Sequence, residues 1–234
     1  MAAIYKREMR AYFISPLGYV FLGVYLLVSG LVFCFTTLYQ MTSDLTGYFS
    51  TMLFCFIILL PLLTMKLFTE EKKQRTEQLL LTAPVSVWSI VLAKFLAAYT
   101  MFAAATVFSG FYFLFLSFFG NVQVGLLFGN LLAVLLIGMA FISVGVFVSA
   151  VTESQLSSAI LTIGILFGFM LISTVADYIP SEGVRFVFTS LSVFYRFQNF
   201  SHGILDFTSL FYYLSIAALF LFLTVRVLDR RRWR

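Results

Sequence analysis

No charged residue interrupts residues 95–152, which read FLAAYTMFAAATVFSGFYFLFLSFFGNVQVGLLFGNLLAVLLIGMAFISVGVFVSAVT. A helix that crosses the hydrocarbon core of a bilayer needs about 20 mostly apolar residues. The stretch is too long for one crossing, and the turn signal Gly120-Asn121 divides it. We therefore predict two spans, residues 90–119 and 124–151, each long enough to tilt or to project beyond the bilayer.

The rest of the chain repeats this pattern. It is 62% hydrophobic and 11% charged, whereas a soluble domain carries about 25% charged residues. Its apolar runs lack the alternation of a β-barrel. The sequence predicts an all-α membrane protein with one transmembrane domain over residues 1–234, whose remaining spans are residues 17–38, 49–67, 156–176 and 209–227. The first of these is too long for a signal peptide and is expected to be retained.

The basic residues predict the orientation. Six spans place both termini on one side, together with all of the 15 Lys and Arg residues except Arg185 and Arg196. Because positive charge collects on the cytoplasmic side, both termini are expected to be cytoplasmic. The net charge of +5 then indicates contact with anionic lipid headgroups and no nucleic-acid partner.

Residues 4–13 precede the first span and are amphipathic. One half of the helical wheel is apolar and the other carries Lys6, Arg7 and Arg10, although Glu8 falls on the apolar side. This pattern favours a helix in the membrane interface that ends at Ser15-Pro16. The alternative is an ordinary basic flank to the first span.

Residues 69–84, TEEKKQRTEQLLLTAP, form the longest polar insertion on the predicted cytoplasmic side. Leucines beside dense charge are typical of a short helix that docks into a partner's groove. The alternative is a solvated connector. The residues expected to make the contact are Glu70, Glu71, Lys72, Arg75, Glu77, Leu79, Leu80 and Leu81.

Two shorter segments and the isolated reactive residues say less. Residues 152–158, TESQLSS, favour a plain loop, whereas the aromatic residues 177–206 predict short external helices at the outer interface. His202, Cys34 and Cys55 have no metal-ligand spacing, so no metal site is predicted. No catalytic site is expected from the outer titratable residues, which are Asp177, Glu182, His202 and Asp206.

The spans offer few ionisable residues. Lys66 and Lys94 lie near predicted cytoplasmic ends and are expected to snorkel towards the headgroups. A proton- or ion-coupled carrier usually needs ionisable groups at the bilayer midplane. Their absence from the spans weighs against a secondary transporter or a selective channel.

Taken together, the sequence resembles the ABC-2 type permeases over essentially the whole chain, most closely the gliding-motility-type (GldF-like) branch. The segments that carry this resemblance are KREMRAYFISPLGYVF (6–21), MKLFTEEKKQRTEQLLLTAPVSVWSIVLAKFLA (65–97), VSAVTESQLSSAI (148–160) and FYRFQNFSHGILDF (194–207). The resemblance implies that the loop between spans two and three is the coupling helix that docks on an ATPase. It also implies a second, smaller contact at Glu153, Ser154 and Gln155.

The resemblance also implies the partners. The chain has no G-x-x-x-x-G-K-[ST] phosphate loop, so we expect no cofactor in this chain, with ATP and magnesium held by a separate ABC ATPase dimer. The second permease is either another copy or a related subunit with an extracytoplasmic domain. The expected function is permease of a bacterial inner-membrane transporter that moves an amphiphilic or lipid-like substrate, by export. The alternative is an ATP-driven mechanotransmission complex that acts on an extracytoplasmic partner without transport.

Overall fold

The computed structural model describes residues 1–42, 44–76, 85–118, 124–176, 178, 182–201 and 207–232. No strand occurs in these ranges. Their helices are α1 (Ala2–Ile14), α2 (Pro16–Phe33), α3 (Thr46–Thr64), α4 (Thr69–Lys73), α5 (Val87–Ser117), α6 (Val124–Val151), α7 (Gln155–Ala176), α8 (Glu182–Leu191), α9 (Val193–Ser201) and α10 (Phe207–Arg232). A π-helical turn, Cys34–Leu38, extends α2.

Six of the described helices, α2, α3, α5, α6, α7 and α10, are long and apolar enough to cross a membrane. This confirms the predicted all-α fold with six spans. The fourth span has the predicted bounds, and the last continues beyond the predicted residue 227 to Arg232. The predicted turn at Gly120-Asn121 lies outside the described residues.

The helix predicted before the first span is α1, and it ends at the predicted Ser15-Pro16 step. Ser15 has extended backbone angles, as a residue before proline prefers, and Pro16 opens α2 at a position where a missing N–H costs nothing. The corner is tight: a Cβ added to Gly18 would stand 2.4 Å from the Tyr12 carbonyl oxygen. Only glycine fits this close approach of α2 to α1.

Helix α6 is the centre of the bundle and packs against α3, α5, α7, α9 and α10. Two of its glycines let neighbours approach closely. A Cβ on Gly138 would lie 2.0 Å from the Phe102 ring of α5, and one on Gly145 would lie 2.2 Å from Thr64 Oγ1 of α3. Small residues at such crossings are the usual way in which membrane helices gain packing energy, because lipid gives them no hydrophobic drive to associate.

Hydroxyl groups join α2 to α3 and α5 inside the bundle. Ser29 Oγ lies 2.7 Å from Tyr48 Oη, and Tyr25 Oη lies 3.2 Å from Thr106 Oγ1. Tyr112 Oη donates to the Leu26 carbonyl at 3.0 Å. Each such bond satisfies a polar group that would otherwise be costly in hydrocarbon.

The short helices predicted between spans five and six are α8 and α9. Helix α9 packs against α6 and α7, and Tyr213 Oη of α10 donates to the Val193 carbonyl at its start, at 2.7 Å. The Arg196 guanidinium lies 4.4 Å from the centre of the Tyr212 ring. The segment is therefore attached to the central helix and to the last span.

Candidate functional site

The segments that the sequence predicts to contact an ATPase meet at one end of the bundle. This basal end holds α1, α4, the start of α5, the connection between α6 and α7, and the end of α10. Helix α1 packs on α5 and α2, and α4 packs on α7.

The centre of the basal end is a cluster of four charged residues, Arg7, Glu8, Glu71 and Lys94, called here the ion-pair cluster. Lys94 Nζ lies 3.1 Å from Glu8 Oε1 and 2.9 Å from Glu71 Oε1, and it donates to the Leu67 carbonyl at 2.7 Å. Its three donors are thereby used. Lys94 thus connects α5 to α1 and to the α3–α4 segment.

Burial makes this cluster sensitive to change. The Lys94 side chain is 1% exposed, and those of Glu8 and Glu71 are 12% and 16% exposed. The expectation that Lys94 snorkels to the headgroups is therefore wrong, because α1 and α4 cover it and supply counter-charges. Its ammonium also lies 5.1 Å from the centre of the Phe68 ring.

Arg7 completes the cluster from the solvent side. Its Nη2 lies 2.6 Å from Glu8 Oε1 and 2.8 Å from Glu71 Oε1, and its side chain is 52% exposed. Partial burial acts to lower the pKa of Arg7, but the hydrogen bonds and charges of Glu8 and Glu71 outweigh it and raise the pKa. Two cations and two carboxylates balance, so the cluster is neutral.

Tyr12 and Tyr5 fasten α1 to the bundle on either side of the cluster. Tyr12 Oη donates to the Leu63 carbonyl at 3.1 Å, and Tyr5 Oη lies 3.0 Å from Thr100 Oγ1. Burial, followed by the charge of Glu8, raises the pKa of Tyr12, so its hydroxyl keeps its proton and remains a donor. Helix α1 is thus held by α3 and α5 as well as by its own corner with α2.

Lys72 links the first predicted contact segment to the second. Its Nζ donates to the Ser149 carbonyl at 3.4 Å, to the Ala150 carbonyl, and to the Thr152 carbonyl at 2.7 Å. These are carbonyls at the end of α6, where the helix leaves its last acceptors unpaired and its dipole is negative. The Phe68 N–H donates to Ser149 Oγ at 3.0 Å beside them.

The predicted contact residues divide into two groups. Glu71 and Lys72 face the bundle, whereas Arg75 is exposed and Glu70 half-buried, as is Gln155; Glu153 and Ser154 are exposed. Ser154 Oγ accepts from the Ser157 N–H at 3.0 Å and so caps α7. Glu77, Leu79, Leu80 and Leu81 lie outside the described residues. Docking through all of these residues stays a prediction.

An open cavity of about 440 Å³ lies beside the ion-pair cluster and is called here the basal cavity. Its charged lining is Arg7, Glu8, Lys66, Glu70, Glu71 and Lys94, and its apolar lining includes Ala11, Leu17 and Leu67. Among the described residues, no group of His, Cys, Asp and Glu is arranged to hold a metal ion. What the site offers is paired charge for binding and for holding helices together.

The ion-pair cluster was not predicted from the sequence, although two of its residues occupy positions where an apolar residue would be expected. Glu8 is a carboxylate on the apolar half of an amphipathic helix, and Lys94 is a lysine inside an apolar run. Two misplaced charges of opposite sign predict each other as partners, since a buried charge requires pairing.

These observations define a multi-pass α-helical membrane protein with a buried cluster of paired charges at one end. The family model described as "ABC-2 family transporter protein" matches residues 3–231. The chain belongs to that family, whose members are membrane subunits of ABC transporters that work with an ABC ATPase subunit. No curated protein matches the sequence significantly.

Proposed function

We propose that this chain is the permease of a bacterial inner-membrane ABC exporter of an amphiphilic or lipid-like substrate, with both termini cytoplasmic. It would pair with a second permease, identical or related, above an ATPase dimer. Within the family, we propose that the chain belongs to the gliding-motility-type branch, because of the four segments quoted in the sequence analysis.

The proposal that an ATPase docks at the basal end is supported by one observation in particular. The Lys72 ammonium and the Thr152 carbonyl are 2.7 Å apart, so the two segments expected to contact the ATPase are adjacent on one surface. A rigid ATPase subunit that engages both would move α4, α6 and α7 together. The ion-pair cluster would carry the same displacement to α1 and α5.

The nature of the spans supports an amphiphilic substrate. Except for Lys94, which is neutralised at the basal end, the charged residues of the six spanning helices lie at helix ends, as in α10. A transport pathway lined by such helices would be apolar with scattered hydroxyl groups. Such a lining suits a substrate that is itself largely apolar.

The second candidate function is mechanotransmission, which the attachment of α9 favours. Because α9 contacts α6 and its first carbonyl accepts from Tyr213 of α10, movement of the spans would reach the outer segment directly. An extracytoplasmic partner bound there could be driven without any substrate crossing.

Reconstitution separates the two functions. The complex purified with its ATPase would be placed in vesicles made from native membrane lipid, and the lipid composition of each leaflet would be measured before and after ATP addition. Transport predicts an ATP-dependent change in one lipid or amphiphile. Steady ATP hydrolysis with unchanged leaflets, and with altered protease sensitivity of residues 182–201, would contradict transport and support mechanotransmission. The control is the same complex with the phosphate-loop lysine of the ATPase replaced.

A further inference from the structure

We propose that the basal cavity binds the headgroup of a phospholipid with a primary amine, of the phosphatidylethanolamine type. The proposal requires that the bundle lies in a bilayer and does not depend on transport or on its direction. The proposed contact with an ATPase does not account for this cavity, which lies beside the ion-pair cluster.

In a bilayer crossed by the six spans, the cavity would lie at the depth of the lipid headgroups. Its lining includes Ser15 and Leu17, where α1 turns into the first span, and Lys66, which directly follows the apolar run of the second span. Apolar side chains of Leu17 and Leu67 border the charged lining, so one wall suits the start of an acyl chain. The volume of about 440 Å³ lies within the usual range of small-ligand sites.

The cavity has cationic donors to spare. Among the described residues the Lys66 side chain makes no ion pair or hydrogen bond, although Lys66 lines the cavity and is half-buried. Within the described ranges, Arg7 bonds to Glu8 and Glu71 through Nη2 alone, and a guanidinium has five donors in total. Both are suited to the phosphodiester of a headgroup.

The cavity also has acceptors to spare. Glu71 Oε2 is buried and has no hydrogen-bond partner in the part of the chain that the structure describes, while Oε1 of the same carboxylate accepts from both Arg7 and Lys94. Glu70 is half-buried, and among the described residues its carboxylate accepts one long bond, from Gln74 Nε2 at 3.5 Å. An unmet buried carboxylate oxygen is costly, and an ammonium held between Glu70 and Glu71 would reduce that cost.

The unused cationic donors and the unused carboxylate acceptors together indicate which ligand the cavity would bind. A pure anion would leave Glu70 and Glu71 Oε2 without a further donor. An amine alone would leave Lys66 and the remaining N–H groups of Arg7 without an acceptor. A zwitterion with a phosphodiester and an amine satisfies both. A primary ammonium has three N–H donors, whereas the trimethylammonium of phosphatidylcholine has none, so the carboxylates distinguish the two.

Native mass spectrometry of the complex purified from its membrane tests this. Phosphatidylethanolamine, phosphatidylcholine and phosphatidylglycerol with identical acyl chains would be titrated in turn. We expect the ethanolamine lipid to bind about tenfold more tightly than either of the others, which is the usual effect of one charge-assisted contact. Soluble glycerophosphoethanolamine should compete at higher concentration if the headgroup is recognised.

Variants of residues inside and outside the cavity test whether the preference for the ethanolamine lipid arises there. Lys66→Gln should weaken binding of the ethanolamine lipid about tenfold, and Glu70→Gln should abolish its advantage over the choline lipid. The exposed residues Lys73 and Glu182 lie outside the cavity lining, so Lys73→Gln and Glu182→Gln should change neither. Thermal unfolding of each variant shows that the fold is retained.

Three results would overturn the proposal. They are equal binding of the three lipids, tighter binding of the glycerol lipid, and a Lys66→Gln variant that behaves like Lys73→Gln.

Discussion

Lys94 Nζ and Glu8 Oε1 lie 3.1 Å apart, although the two residues are separated by 86 positions in the chain. The pair joins a spanning helix to the amphipathic helix that precedes the first span. Glu71 adds the polar insertion to the same ammonium at 2.9 Å. The three segments α1, α4 and α5, which sequence patterns describe separately, are therefore joined at the basal end by these ion pairs.

Loss of the central cation should destabilise the basal end. Lys94→Met leaves Glu8 and Glu71 facing Arg7 alone, and removing one member of a buried ion pair typically costs about 3–5 kcal/mol. Because both carboxylates keep Arg7 as a partner, we expect a loss of about 3 kcal/mol in the free energy of unfolding. Reversible unfolding in mixed micelles measures it.

The control for this prediction is Lys73→Met, which removes an exposed lysine of α4 and should have little effect. Adding Glu8→Gln to Lys94→Met should recover part of the loss, because it removes one uncompensated charge. Equal stability of Lys94→Met and Lys73→Met would show that the ion-pair cluster does not hold the basal end.

Lys72 should stabilise the end of α6. Lys72→Gln removes an ammonium that donates to the carbonyls of Ser149, Ala150 and Thr152. A charged hydrogen bond is worth about 1.5–3 kcal/mol, and glutamine can replace one bond but not the charge. We expect a loss of about 1.5 kcal/mol, measured by the same unfolding assay. Lys73→Gln, at the adjacent exposed position, is the matched control, and an equal loss there would refute the assignment.

Helix α6 should not tolerate larger side chains at its glycines. Gly138→Ala and Gly145→Ala place a methyl group against Phe102 and Thr64 respectively, and overpacking of this kind costs about 1–3 kcal/mol. Gly164→Ala on α7 is the control, because a Cβ there has no neighbour within 4 Å. If all three variants unfold alike, the close approach of α5 and α3 to α6 does not contribute to stability.

The leucine run should be needed for communication with the ATPase, although the structure does not describe it. Replacing Leu79, Leu80 and Leu81 with glutamate should abolish stimulation of ATP hydrolysis by the permease, since a charged surface cannot fill an apolar groove. Unfolding of the isolated chain should stay unchanged. Normal stimulation of hydrolysis in this variant would remove the run from the docking surface.

The spans were predictable because their signal is local. Charge-free runs give the length and type of each helix, and Ser15-Pro16 marks the end of α1 through the restricted backbone of a residue before proline. The C-terminal end of α10 was less predictable, since Asp229 and Arg230 continue a helix that apolar composition alone ends at residue 227.

The site was predictable in part, because it depends on which helices become neighbours. The sequence indicated that Glu71 and Lys72 lie in a polar segment near the membrane, but their distances to Lys94 and Thr152 come from the packing of α4 on the bundle. Lys94 was expected to snorkel because its position in the chain is near a helix end. The covering of that end by α1 and α4 is a tertiary effect that no local pattern contains.

In the proposed function, this chain is the permease of a complex whose ATPase is a separate subunit docked at the basal end. The most direct test is to purify the tagged chain from its native membrane and identify what accompanies it by quantitative mass spectrometry. We expect an ATPase with a phosphate loop in stoichiometric amount, and its loss when Leu79, Leu80 and Leu81 are replaced with glutamate. If the chain purifies alone and stable, without any ATPase, the proposed function is wrong.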